Sequence, residues 1–164
     1  MKALPVTVLS ILALGGEGSA QVPDAIAAPG ETPMLTVHAE GAQIYECKPD
    51  PAGKLTWQFR EPIAALMVDG KTIGRHYAGP SWELADGGTV TGNVVARAPS
   101  ASDKDIPLLR LEVMGRRGAG QLTAASTIQR INTRGGAAGG SCERSGALLS
   151  VPYSADYVFL RKGS

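Results

Sequence analysis

The chain has 164 residues, of which 43% are hydrophobic and 19% charged, and its formal net charge at pH 7 is +1. A near-neutral chain gives no electrostatic reason to expect nucleic acid or an acidic membrane surface as a partner. This length suits one domain with a substantial hydrophobic core. Composition and charge therefore favour a single globular domain and argue against a nucleic-acid-binding protein.

The first twenty residues have the three parts of a secretory signal peptide. Lys2 supplies a positive charge, residues 3–14 are apolar, and Gly18-Ser19-Ala20 offers the small residues that a signal peptidase reads. The apolar run is shorter than the roughly 20 residues that span a bilayer as a helix. We therefore predict a cleaved signal peptide over 1–20 and an exported protein, periplasmic or extracellular, with no membrane anchor. A retained anchor, or an apolar helix of the fold itself, is the alternative.

The remaining chain reads as a short leader followed by strands. Residues 21–33 contain three prolines and predict an extended leader into a domain over 34–161. Apolar residues then recur at every second position, the period of a half-buried strand. Residues 61–68 are the exception and could form one or two helical turns, with Pro62 at the first position. The predicted strands lie at 34–38, 42–48, 55–60, 71–77, 88–97, 109–114, 122–129 and 153–159.

Turn residues separate these strands and indicate how they connect. Asp69-Gly70 and Asp86-Gly87 are hairpin signals, because both residue types tolerate positive φ. Many short strands joined by such turns predict an all-β, single-domain antiparallel β-sandwich or barrel with little helix. Periodicity alone does not distinguish the sandwich from the barrel.

The two cysteines, Cys47 and Cys142, are predicted to form a disulfide. In an oxidising compartment, an isolated pair in a small domain is most simply a bond, whereas two free thiols or metal ligands are the alternatives. Closing a loop of this length is worth roughly 4–5 kcal/mol in the chain-entropy model. A metal site would need more clustered ligands, and neither C-x-x-C nor H-x-x-x-H spacing occurs. We therefore predict no metal site and no cofactor.

The most polar and aromatic segment, residues 74–83, is a candidate ligand site. It contains His76, Tyr77, Trp82 and Glu83. The aromatic rings could stack on a sugar or a planar group while His76 and Glu83 hydrogen-bond to it. The alternative, which a sandwich favours, buries Tyr77 and Trp82 in the core with His76 hydrogen-bonded near a turn.

A second candidate lies in the strand that ends near residue 133. Alternation places Gln129 on one face and Arg130 with Asn132 on the other. Arg130 could bind a carboxylate through two hydrogen bonds, either from an acidic ligand or from Glu83. An internal salt bridge, with Asn132 serving the following glycine turn, is the alternative.

Several segments together resemble the domain-of-unknown-function family 3455, which consists of exported bacterial and fungal proteins. The resemblance runs from about His38 to Phe159, and it implies an exported domain without an established activity. The segments that carry it are Gln43-Ile44-Tyr45-Glu46-Cys47, the run His76 to Glu83, Asp86-Gly87, the run Ile128 to Gly136, Cys142 and the run Val151 to Phe159.

Two hypotheses about function follow. The leading one is a non-catalytic exported β domain that binds a small polar or carbohydrate-like ligand, or an envelope partner. It rests on the aromatic and polar cluster and on the lack of a complete catalytic set in the sequence. The alternative is a hydrolase in which His76 is the general base, oriented by Asp86 or Glu83.

Overall fold

The computed structural model describes residues 22–163, which form one sheet of eight antiparallel strands closed into a barrel. Each strand pairs with the next along the chain, and the last pairs with the first. The signal peptide predicted over 1–20 lies outside the described residues. The strands are β1 (Glu31–Pro49), β2 (Leu55–Val68), β3 (Lys71–Tyr77), β4 (Ser81–Leu84), β5 (Thr89–Ala98), β6 (Leu108–Arg117), β7 (Thr127–Gly135) and β8 (Leu148–Lys162).

The predicted all-β fold with little helix is confirmed, and its architecture is the barrel. Only two short 3-10 helices, Asp24–Ile26 and Gln121–Ala124, accompany the strands in the described range. Between Val22 and Gly163, no helix is long and apolar enough to cross a membrane.

Strand β1 closes the barrel because it pairs with β8 over residues 31–46 and with β2 over residues 38–49. Gly41 allows the close approach of β2. A Cβ atom at this position would lie 2.0 Å from the backbone oxygen of Ile63 and 2.5 Å from the Cα of Ala64. A shift in register between Ile44 and Tyr45 marks a β-bulge, which bends a long strand around a barrel.

Turn chemistry behaves as the residue types predict. Asp69 and Gly70 have φ of 49° and 72° and form a two-residue hairpin between β2 and β3. Gly87, with φ of 91°, lies in the tight turn between β4 and β5.

Several predicted element boundaries were wrong. Residues 34–38 and 42–48, predicted as two strands, belong to the single strand β1. Residues 61–68 belong to β2, where pairing with β1 overrides a weak local helical preference. Leu122 lies in a 3-10 helix, and β7 begins only at Thr127. The leader ends earlier than expected, because Glu31 already pairs with Lys162.

The barrel interior has two unlike halves. Near the β2–β3 and β4–β5 turns, it is filled by a hydrophobic core. The 3-10 helix at Gln121–Ala124 contributes fully buried Leu122 to this core. Toward the opposite end, aromatic, polar and apolar side chains surround a cavity. The packed half includes Leu66, Leu84, Val90, Leu122 and Phe159.

Candidate functional site

The cavity in the open half of the barrel has a volume of about 550 Å³. Its inner wall contains His76, Trp82 and Tyr157, all of which are buried. Exposed residues lie at its outer end, among them Phe59, whose exposed fraction is 56%. The cavity therefore extends from the barrel centre to the surface at the end that carries the β7–β8 connection.

Three aromatic rings form the inner wall. His76 on β3 and Trp82 on β4 are directly opposite in the ladder, so both side chains point to the interior. Their rings stack with centroids 4.4 Å apart and an angle of 15° between planes. The ring of Tyr157 meets Trp82 edge to face at a centroid distance of 5.3 Å. This packing holds the three rings against one another at the inner end of the cavity.

His76 is uncharged near neutral pH. Its Nδ1 lies 2.8 Å from the backbone oxygen of Ser81. A carbonyl oxygen only accepts hydrogen bonds, so Nδ1 carries the proton and Nε2 is left as an acceptor. Burial lowers the pKa of His76 to about 4; the bond to Ser81 opposes this effect, and the charge of Arg130 adds to it. A neutral imidazole is therefore part of the wall.

Arg130 places a positive charge in the same half of the barrel. It lies on β7 between Leu109 of β6 and Tyr157 of β8, and its exposed fraction is 9%. Its Nε and Nη2 donate hydrogen bonds of 3.0 and 2.8 Å to the backbone oxygen of Pro107. Within residues 22–163, no carboxylate forms an ion pair with it. The salt bridge that the sequence offered as an alternative is therefore not formed with Glu83.

Two opposing effects act on the pKa of the Tyr157 hydroxyl. Burial raises the pKa of Tyr157, and the nearby Arg130 guanidinium counteracts the increase. Burial and the neighbouring Tyr157 likewise raise the pKa of Tyr153. Both phenols therefore stay protonated and supply neutral polar groups.

Two further side chains contribute hydrogen-bond donors without acceptors. Gln43 Nε2 and Trp82 Nε1 are buried, and neither has a hydrogen-bond partner in the described part of the chain. Both residues line the cavity, with exposed fractions of 2% and 1%. An unsatisfied buried polar group costs about 1–3 kcal/mol, so an acceptor that enters the cavity would be bound favourably.

Gln43 was missed as a site residue, although the sequence contained a signal for it. It follows Val37, Ala39 and Gly41 at the inward positions of β1, and a glutamine there stands out in an otherwise small and apolar series. A polar residue at an inward position of a strand is either paired or functional.

Tyr77 and Glu83 lie apart from the cavity. They alternate with His76 and Trp82 and therefore face the outside of the barrel. The Glu83 carboxylate accepts hydrogen bonds from Arg75 Nη2 at 3.1 and 3.2 Å and from the Tyr77 hydroxyl at 3.0 Å. The Arg75 hydrogen bond, followed by that from Tyr77, holds the pKa of Glu83 below its usual range. These residues form a surface cluster instead of a ligand wall.

Gln129 and Asn132 are also outside the cavity. Gln129 faces outward but is covered by the N-terminal segment, where its Nε2 donates a 2.7 Å hydrogen bond to the backbone oxygen of Ile26. Asn132 is exposed, has φ of 51° and donates to Asp156 Oδ2 at 2.8 Å. The register shifts between Ile131 and Arg134, so the alternation that would place Asn132 beside Arg130 is interrupted.

Of the seven predicted site residues, the structure thus brings His76, Trp82 and Arg130 together around one cavity.

The residues of the hydrolase hypothesis do not meet in the described structure. The Asp86 carboxylate accepts hydrogen bonds from the backbone N–H groups of Gly88 and Gln121, at 3.0 and 2.8 Å. Glu83 is held outside the barrel, and His76 donates to a carbonyl oxygen. No histidine–carboxylate pair exists at His76. Over the same residues, no group of three or more potential metal ligands is found.

The predicted disulfide between Cys47 and Cys142 is present, with a Cα–Cα distance of 5.9 Å. It attaches the β7–β8 connection, residues 136–147, to β1. The Tyr45 hydroxyl, which belongs to a cavity residue, donates to the Gly136 oxygen at 2.6 Å and accepts from the Ala138 N–H at 3.2 Å. The connection is therefore fixed beside the cavity at two points.

Fold and site together define a class: an eight-stranded antiparallel barrel with a polar and aromatic interior cavity. The family described as "Protein of unknown function (DUF3455)" matches residues 28–161. The chain belongs to this family, which confirms the resemblance seen in the sequence. Neither the curated proteins nor the solved structures compared with the chain include a match.

Proposed function

We propose that the protein is an exported binding domain that holds a small polar or carbohydrate-like ligand in its barrel cavity. The observation that carries this proposal is the 550 Å³ cavity, lined by Gln43 and Trp82, whose buried Nε2 and Nε1 donors have no partner within the described part of the chain. Small-molecule sites in proteins are mostly apolar cavities with a few fixed polar groups, and the mouths of β-barrels are a common place for them.

Export is supported by two independent features of the chain. The N-terminal sequence has the charge, apolar run and small residues of a signal peptide. The Cys47–Cys142 disulfide fits an oxidising compartment, because such bonds are rare in reducing cytosol.

Binding is better supported than hydrolysis. His76 is stacked on Trp82, its pKa is lowered to about 4, and it makes no hydrogen bond to a carboxylate in the described residues. A general base needs an orienting partner and a pKa closer to the working pH.

The proposal is tested by ligand-induced stabilisation of the exported protein. A panel of sugars, amino acids and small organic acids is screened by thermal shift, and the protein as purified is examined by native mass spectrometry for a retained compound. A true ligand at a hundredfold excess over its Kd should raise Tm by about 5–10 °C.

The two tryptophans provide a matched pair of variants. Trp82→Phe removes the Nε1–H donor from the cavity but keeps an aromatic ring, whereas Trp57→Phe changes a residue that does not line the cavity. We expect the ligand shift to fall in the first variant and to persist in the second. Equal shifts in both variants would place the binding elsewhere and contradict the proposal.

A further inference from the structure

We infer that the ligand is an organic monoanion: a carboxylate that pairs with Arg130, attached to an apolar body that packs against the apolar side chains of the cavity wall. This inference rests on the proposed binding function of the cavity; it keeps a small ligand with a polar group and sets aside the carbohydrate-like alternative.

The cavity wall carries an excess of positive charge. Three arginines line it, Arg60, Arg97 and Arg130, and no aspartate or glutamate of residues 22–163 does. Arg60 has carboxylate neighbours, Glu61 at 3.2 Å and Glu46 at 3.9 Å. Arg97 is exposed at the outer end of the cavity. Arg130 is the arginine that lies deep and buried, and among the described residues it has no counter-charge.

A buried arginine cannot reduce the cost of its burial by losing a proton, because a guanidinium stays protonated in proteins. The bonds from Nε and Nη2 to the Pro107 oxygen use two of its five N–H groups. Three N–H groups remain, and the edge formed by Nη1 and Nη2 can hold a carboxylate through two hydrogen bonds. An incoming anion would supply the counter-charge that the chain itself does not provide.

The other polar groups of the wall agree with an anionic ligand. Gln43 Nε2 and Trp82 Nε1 are buried donors without acceptors in residues 22–163, so a ligand oxygen that reached either atom would satisfy it. His76 is neutral, so it adds no second cation. Among residues 22–163, Arg130 is the one buried guanidinium of the wall, and a single negative charge compensates it; Arg97, which also forms no ion pair there, is exposed to solvent.

The apolar residues of the cavity wall indicate which chemical group is attached to the carboxylate. Val94, Ile106, Leu109 and Leu111 line the cavity together with Pro62 and Pro80. Apolar side chains next to the ring of Trp82 favour a flat hydrocarbon or aromatic group over a fully hydroxylated one. An aromatic or unsaturated monocarboxylate would compensate the charge of Arg130 and pack against the apolar side chains of the wall.

The experiment compares two probes of the same shape, 2-naphthoate and 2-naphthamide, by isothermal titration calorimetry on the exported, disulfide-bonded protein. We expect naphthoate to bind and the neutral amide to bind at least about tenfold more weakly. Arg130→Gln should weaken naphthoate binding by about 10- to 100-fold and leave amide binding unchanged. Arg75→Gln is the matched control, because Arg75 lies outside the barrel and pairs with Glu83; naphthoate binding should be unchanged.

A second variant tests the charge without removing Arg130. Gln43→Glu changes almost no volume but places a negative charge in the cavity wall, so it should weaken naphthoate binding and spare the amide. Circular dichroism of each variant shows whether the fold is retained. Undiminished naphthoate affinity in a folded Gln43→Glu protein contradicts the inference.

The remaining outcomes separate the inference from the proposed function. Equal affinity for both probes overturns the anion assignment and leaves cavity binding standing. Inorganic phosphate that binds more tightly than naphthoate overturns the carboxylate assignment. Absence of binding by either probe, with sugars from the panel still stabilising the protein, overturns the apolar body and the anion together.

Discussion

His76 should control how stability responds to acid. Burial keeps its folded-state pKa at about 4, while an unfolded histidine has a pKa of 6.5. The unfolded state therefore binds more protons between these values, and stability falls as pH drops from about 6.5 toward 4. At pH 4 the loss from this group is about 3 kcal/mol in the free energy of unfolding. Urea denaturation of the wild type and of His76→Gln at pH 7 and pH 4 measures this loss, which should be smaller in the variant.

His38 gives the matching control, since the chain has only two histidines. It is half exposed, and its Nδ1 lies 2.8 Å from Asp156 Oδ1. This hydrogen bond, together with the nearby carboxylates, raises the pKa of His38. Its contribution is therefore present at low pH and lost as pH rises, opposite to that of His76. An NMR titration that finds the His76 ring protonating near pH 6.5 would contradict the assignment of a buried, neutral imidazole.

Gly41 should tolerate no side chain. A Cβ atom there would overlap the backbone of β2, so Gly41→Ala must separate the two strands. We expect a loss of about 1–3 kcal/mol in unfolding free energy. Gly139→Ala is the control, because its Cβ would meet nothing within 4 Å. Chemical denaturation compares the two variants, and equal stability would mean that β1 and β2 can move apart freely.

At the level of single residues, the sequence predicted which side chains have suitable chemistry better than it predicted which of them face the cavity. His76, Trp82 and Arg130 were singled out because of their chemistry, and all three line the cavity. Tyr77 and Glu83 have equally suitable chemistry but alternate to the outer surface. Strand alternation places His76 and Trp82 on one face and Tyr77 and Glu83 on the other. Which face points to the interior is determined only by how the strands pair in the closed sheet.

The β7–β8 connection depends on its disulfide. The bond between Cys47 and Cys142 joins positions 95 residues apart. Replacing both cysteines by serine should lower the unfolding free energy by about 2–5 kcal/mol. Because the connection also contacts Tyr45, ligand affinity should fall in the same variant. Denaturation with and without reductant gives the stability change; a reduced wild type as stable as the oxidised protein would show that the bond contributes little.

Strand ends were predicted well where turn residues lie next to the strand. They were predicted poorly where pairing with another strand sets the boundary. Asp69-Gly70 located the β2–β3 hairpin directly. Residues 61–68 have no local feature that requires a strand, and their conformation comes from pairing with β1. The start of β7 at Thr127 likewise reflects Leu122 turning into the core. Such boundaries depend on contacts with residues distant in sequence.

At the scale of the molecule, the cavity could not be read from the sequence. Its wall combines residues of all eight strands that lie toward the same end of the barrel. Which residues lie there is set by the register of each strand pair, including the shifts at Ile44 and Ile131. Arg130 and Gln43 are 87 positions apart in the numbering and share a cavity only because the sheet closes.

The closure of β1 on β8 also determines when the protein can fold. Its pairs run from Glu46 with Leu148 to Glu31 with Lys162, so every one of them joins residues at least 102 positions apart. Such non-local pairing slows folding, because a large loop must be ordered before the contacts that stabilise it can form. Until the fifteen residues of β8 are available, β1 and β7 each have an unpaired edge that can associate with other chains. During synthesis from the N-terminus, the barrel therefore cannot close until β8 has been made. Aggregation competes with folding during this interval.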